Sequence, residues 1–265
     1  MLIKQGYTLL VSYLKENPFK DCTKVYSRKM DLTVSEEVNE FCSCAKELCS
    51  KNKLKAIVNN AGIAMAGTVE NTTLDIYQEV FDVNYFGVVA VTKTMIPELI
   101  KTKGRIVVIG SFAGRIAMPF FSPYASSKFA LEGFCDSLRR EMIPFGVKTI
   151  LIEPAAVATP IWNKGKEQDI SFIDDKYKKC FLDARDSFIK GGNAGMHPDK
   201  AAAIISKVLA KRNPRSRYLI SIVLLKQVFW QGFLMLFWTR RLKRSIKWIM
   251  ESNPKEELLW KKFQL

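Results

Sequence analysis

Short apolar runs rich in β-branched residues alternate along this chain with longer stretches whose apolar positions recur every three or four residues. The runs near 7–12, 24–29, 54–58, 105–110, 147–153 and 217–222 read as strands, and the periodic stretches near 34–50, 73–101, 122–143 and 198–212 as helices. Strands alternating with crossover-length helices predict an α/β domain built on a parallel sheet. Pro97 falls late in the 73–101 pattern, so that helix is expected to end or bend there. The pattern weakens over 160–197, where Trp162, Phe172, Tyr177, Phe181 and Phe188 stand among mixed charges, with ordinary packing of two short helices as the alternative to a functional role. Residues 223–238 are apolar on nearly every side, which sets 223–265 apart as a tail behind a domain at 1–222.

Length and charge narrow the class. With 265 residues, 48% of them hydrophobic, one large core is affordable and no repeat is visible. The net charge of +15 would draw nucleic acid, anionic lipid or a phosphorylated cofactor. Its distribution separates these: Arg240, Arg241, Lys243, Arg244 and Lys247 directly follow the apolar stretch, a pattern of a membrane surface, and no nucleic-acid-binding motif is present. Trp230 and Trp238 suit a headgroup boundary, with a helix covering the domain or a dimer contact as the competing reading. Cys42, Cys44 and Cys49 lie on the stripe marked by Val34, Val38, Phe41, Ala45 and Leu48, so the thiols are expected to pack rather than hold a metal, in a reducing compartment. No secretory signal is recognisable before Leu14, and the cytoplasm or the cytoplasmic face of an internal membrane is the expected location.

The chemistry centres on Tyr124-Ala125-Ser126-Ser127-Lys128. Four residues apart on a helix, the phenol and ammonium share a face, and a cation beside a phenol favours its ionised form. Tyr124 is thereby expected to exchange protons with an alcohol or carbonyl near neutral pH, with Ser111, after the strand Ile106–Ile109, orienting the substrate oxygen.

With Asn59-Asn60-Ala61-Gly62 and Asn84 upstream in order, these residues resemble the short-chain dehydrogenase/reductase family from about Gly6 to about Ser221. The resemblance implies a Rossmann-like doubly wound sheet, Asp31 against the adenine, Asn59, Ala61 and Gly62 at a cofactor turn, and Asn84 holding a proton-relay water. It also implies that Lys128 both perturbs Tyr124 and binds the nicotinamide ribose, and that Pro154, Val157 and Thr159 line the nicotinamide loop. By analogy 160–197 is a substrate lid, with Phe120, Phe121 and Trp162 lining a pocket for a lipophilic secondary alcohol or ketone of steroid or retinoid type. Homo-oligomer formation through the helices near 73–101 and 122–143 is implied as well.

Two departures stand out. The family's glycine-rich phosphate turn has no counterpart, and Gly6–Ser12 reads as its second strand, so the chain begins one βα unit late. An incomplete gene model, a splice form or a fragment is the expectation, and the alternative to an enzyme is a silent homologue acting as a binding or dimerisation module. The second is Ala155, where glycine usually follows the proline. After the second strand no acidic residue awaits a ribose hydroxyl, while Lys15 suits a 2′-phosphate, which favours NADP over NAD.

Overall fold

The computed structural model describes residues 1–221 apart from Pro18, Asp21 and Thr23. The expected tail at 223–265, its membrane-facing tryptophans and basic run, and the boundary before it lie outside the described residues.

All six expected strands form. They are β1 (Leu9–Tyr13), β2 (Val25–Lys29), β3 (Ala56–Asn59), β4 (Arg105–Ile109), β5 (Lys148–Pro154) and β6 (Arg217–Ile220). Every pairing is parallel, but the strands make two sheets: β1 pairs β2, and β3-β4-β5-β6 run side by side in that order. The division falls between β1 and β3, where the resemblance implies a further strand. Among the described residues each of those strands pairs on one side only. Burial agrees, since β1 is half-buried along its whole length and Val58 of β3 is 42% exposed, whereas Ile106, Val107, Val108, Ile150, Leu151 and Ile152 are buried.

Helices cover both faces. Side chains of β4 alternate, Ile106 and Val108 meeting α3 (Gly87–Thr102) and α4 (Ser122–Met142), and Val107 meeting α7 (Pro198–Ala210). The two sheets are joined by packing. Val38 and Cys42 of α1 (Ser35–Lys51) lie with Met30 against Val91 and Met95 of α3, and Ile57 of β3 closes the cluster.

Two helical readings change. The stretch 73–101 is α2 (Leu74–Phe81) and α3 joined by a π-helical turn, Asp82–Phe86. Pro97 does not end α3, which continues to Thr102; Pro97 and Lys93 lie on the exposed side, where the carbonyl freed by the missing N–H is open to water. The 160–197 segment holds α5 (Ile161–Glu167) and a long α6 (Asp175–Asn193) rather than two short helices.

Candidate active site

Loops leaving the carboxyl ends of β3, β4 and β5 converge, as ligand crevices of open α/β sheets do. They carry Asn59–Gly62, Ser111 and Pro154–Thr159. Across them runs the first turn of α4, started by Pro123 and tied to α2 by a 2.6 Å hydrogen bond between Ser122 Oγ and the Tyr77 hydroxyl.

Tyr124 and Lys128 do share a face of α4. The Tyr124 phenol hydrogen-bonds Ser111, and Lys128 Nζ stands 5.6 Å from the centre of the tyrosine ring. Ser111 caps a short turn at Phe112–Gly114, its Oγ accepting from Ala113 N at 3.1 Å. Lys128 is buried and donates to the Ile109 carbonyl at 3.2 Å.

Electrostatically, this pair departs from expectation. Burial pushes the Tyr124 pKa up, offset in part by Ser111, and lowers that of Lys128 to about 8. Helical spacing promised a cation that acidifies the phenol. In the bare chain desolvation outweighs that attraction and favours the neutral form of both groups.

Asn84 sits in the π-helical turn and is fully buried. Its Nδ2 donates to the Ile63 carbonyl at 2.9 Å and to Ser127 Oγ at 3.0 Å, and its Oδ1 accepts from Ile63 N at 2.9 Å. Ser127 in turn donates to the Tyr124 carbonyl at 2.7 Å. The wider π turn aims Asn84 inward, clamping the loop after β3 to the helix of Tyr124. Asn59 is held by Thr92 of α3, Nδ2 to Oγ1 at 3.0 Å.

The other expected residues divide. Asp31 follows β2, where Thr33 N and Oγ1 donate to its carboxylate and hold its pKa low. Pro154 ends β5, Ala156 and Ala158 pair with Met196 around Val157, and the Thr159 carbonyl accepts from Trp162 N at 3.4 Å. Ala155 takes no positive φ, so its β-carbon costs the loop nothing. Phe120 has a left-handed backbone, φ 67°, and its carbonyl accepts from Gly67 N at 2.8 Å. The rings of Phe120 and Phe121 pack edge-on against Phe181 and Phe188 of α6. Trp162 donates from Nε1 to the Val157 carbonyl at 2.7 Å and lies flat on Gly192. These aromatics tie the 160–197 segment to the loops that carry Phe120 and Val157.

A nicotinamide cofactor fits one end of this crevice. A β-carbon at Gly62 would sit 3.1 Å from Asn84 Oδ1 and 3.6 Å from Lys128 Nζ, so glycine keeps that approach open. Lys128 uses one of its three N–H donors on Ile109, which leaves two for ribose hydroxyls. For the pyrophosphate, the described residues offer no glycine-rich turn beside β3.

Three groups escaped sequence reasoning. Gln168 clasps Ala66 through both main-chain atoms, at 3.0 and 2.6 Å. Glu132, one turn beyond Lys128, meets Glu153, the last residue before Pro154, which is fully buried and held by Arg115 at 2.6 and 2.7 Å. Only the Lys128–Glu132 spacing signalled any of this.

Comparison with known proteins gives a consistent picture. The family model described as short chain dehydrogenase matches residues 1–170. An uncharacterized oxidoreductase of Bacillus subtilis is 33% identical over 192 residues, 71% of this chain and 68% of that protein. Mouse retinol dehydrogenase 5 is 32% identical over 238 residues, 82% of this chain and 74% of that one. Among solved structures, a short-chain dehydrogenase from Streptomyces avermitilis superposes with a TM-score of 0.72 at 22% identity, covering 95% of this chain and 91% of its own.

Proposed function

The chain belongs to the short chain dehydrogenase family, NAD(P)-dependent oxidoreductases of alcohol and ketone groups, and within it we propose that this protein interconverts a lipophilic secondary alcohol and its ketone. The observation that carries the reading is the Tyr124 phenol hydrogen-bonded to Ser111 with the buried Lys128 ammonium 5.6 Å from its ring. Tyr124 gives its proton to the carbonyl oxygen in reduction and takes it back in oxidation. Ser111, already in contact with that phenol, holds the same oxygen while charge develops on it. Asn84 keeps the β3 loop and the Tyr124 turn in register and is suited to anchor a relay water. Lys128 and the open approach at Gly62 would hold the nicotinamide ribose, with Asn59, Ala61, Pro154, Val157 and Thr159 around it and Asp31 toward the adenine. When bound, the cofactor supplies or accepts the hydride.

Support for a lipophilic substrate is the aromatic cluster that Phe120 and Phe121 form with Phe172, Tyr177 and Phe181 of the 160–197 segment, together with the likeness to retinol dehydrogenase 5. Lys15 just beyond β1 favours NADP. Exposed Phe86 and Phe129, on the flank of the two catalytic-side helices, favour a homo-oligomer. A substrate of this kind is met at a membrane surface, on the cytoplasmic side by the cysteine content; among the described residues no helix is long and apolar enough to cross a membrane. Replacing Tyr124 with Phe should lower turnover of such an alcohol by about 10²–10⁴-fold while the circular dichroism spectrum stays unchanged. Retained turnover refutes the role. A second reading, a silent binding module, is favoured by the one-sided pairing of β1 and β3 and the lack of a phosphate turn among the described residues. Fluorescence titration with NADH and NADPH separates the two: micromolar binding speaks for the enzyme, and none up to millimolar for the module.

A further inference from the structure

Behind the catalytic residues, on the side away from the crevice mouth, five charged groups meet where β5, β6, α4 and the Ser111 turn touch. Arg115 leaves that turn and places both of its hydrogen bonds on Glu153 of β5, Nε to Oε1 and Nη2 to Oε2. Arg217 of β6 places its Nε 3.0 Å from Glu132 Oε2 and its Nη2 2.9 Å from Asp136 Oδ2. The remaining oxygen of Glu132, Oε1, is buried without a hydrogen-bond partner among the described residues, and the Glu132 carboxyl lies beside that of Glu153. Two carboxyl groups can make that contact only when one carries a proton, and both Glu153 oxygens already accept from Arg115. A hydrogen on Glu132 Oε1 would give that buried atom a partner in Glu153.

We propose that Glu132 is a positioning residue, whose protonated carboxyl donates to Glu153 and so locks the Ser111 turn, through Arg115, onto the helix that carries Tyr124 and Lys128. The seating is close: a β-carbon at Gly114 would lie 2.9 Å from the Lys128 carbonyl oxygen and 3.3 Å from Glu132 Oε1. One carboxylate thus joins four pieces of the site. Glu153 is adjacent to Pro154 and the nicotinamide-side loop, Arg115 is four residues from Ser111, Glu132 is one helical turn from Lys128, and Arg217 ties in β6.

The other titratable or charged groups facing Glu132 are Asp136 and Cys135 of α4, with Arg139 further out, 3.6 Å from Asp136. Burial pushes the Cys135 thiol up to about 12, so it stays neutral and supplies no charge in the working range. Burial, followed by Glu153, raises the Glu132 pKa to about 7, against the pull of Arg217. The joint is therefore closed below neutrality. It opens as the pH rises, when two adjacent carboxylates repel beneath the Ser111 turn.

The inference rests on the oxidoreductase reading for its catalytic consequence, and the test separates the two. Hydrogen exchange of the amides of Ala113, Gly114 and Arg115 is measured on the full chain at pH 6.5 and 8.5, in wild type and Glu132→Gln, whose amide donates to Glu153 at every pH. Compared at the same pH, the two proteins should protect the turn equally at 6.5, while wild type exchanges on the order of tenfold faster at 8.5. Equal protection at both values overturns the proposal, whether or not the protein turns over. Kinetics supply the second arm. Glu132→Ala should lower kcat by about tenfold or more at pH 7, Glu132→Gln should restore it, and only wild type should lose kcat above neutrality relative to Glu132→Gln. Parallel pH profiles for wild type and Glu132→Gln overturn the catalytic role. Turnover absent in all variants, together with the exchange difference, sinks the oxidoreductase reading and leaves the joint standing.

Discussion

Lys128→Met should make the bare protein more stable at neutral pH while removing its proposed activity. The magnitude follows from burial. Lys128 is 5% exposed, and its pKa falls from the ordinary 10.5 to about 8 because the charged form is desolvated. That gap is worth about 3 kcal/mol of folding free energy. The sign follows from linkage: with a depressed folded-state pKa, the unfolded chain holds the proton more tightly. The stabilising contribution of the neutral amine is complete above pH 10.5, declines as the pH falls toward 8, and is gone below it. At pH 6.5 wild type thus carries the whole cost of a buried ammonium. Methionine fills a similar volume without charge, and gives up one hydrogen bond to the Ile109 carbonyl, worth about 1 kcal/mol. The net gain should be about 2 kcal/mol. Urea unfolding followed by circular dichroism at pH 6.5 and pH 10 measures it, and the gain should shrink strongly at the higher pH. A variant less stable than wild type at pH 6.5, or a difference that ignores pH, refutes the reasoning.

Asn84→Ala removes three hydrogen bonds, two of them to Ile63 and one to Ser127, and should cost about 3 kcal/mol in urea unfolding. The same change should lower kcat/KM by about 10²-fold, since the loop after β3 loses its tie to the Tyr124 turn; an effect on stability alone would remove Asn84 from the working site. Lys103 ends α3 in a left-handed conformation, φ 50°, on the surface, so Lys103→Gly should raise stability by about 0.5–1 kcal/mol and Tm by about 1–4 °C in a thermal melt.

The strands were legible because each is a short β-branched run between turn residues, and a parallel sheet buries such runs on both faces. Even the division of the sheet was legible, since the run that resembles a second strand comes first. What sequence concealed had specific causes. A π turn adds a single residue to a helix, so the apolar stripe of 73–101 runs through it almost unbroken, and the residue it re-aims is Asn84, a candidate site position. In α6 the buried positions Phe181, Ala184 and Ile189 do follow helical spacing, but the Gly191-Gly192 pair and flanking charges mask a nineteen-residue helix. Gly192 is there because the Trp162 ring occupies the space a β-carbon would need.

The site divides along the same line. The proximity of Tyr124, Lys128, Ser111 and Asn84 was legible because short spacings on one helix, or a position at a strand end, convert directly into neighbourhood. Spacing carries no information on how much water is excluded, and that is why the direction of the Tyr124 shift came out opposite to the one expected. Glu132 and Glu153 illustrate the complementary failure, being twenty-one positions apart on different elements, so only the three-dimensional fold reveals that they touch. Burial is what makes these groups responsive. A carboxyl in water would not hold its proton near neutrality, and an amine in water would not begin to lose its own there. The residues whose chemistry depends most on the fold are therefore those whose variants should show the strongest pH dependence, Lys128 on the alkaline side and Glu132 around neutrality.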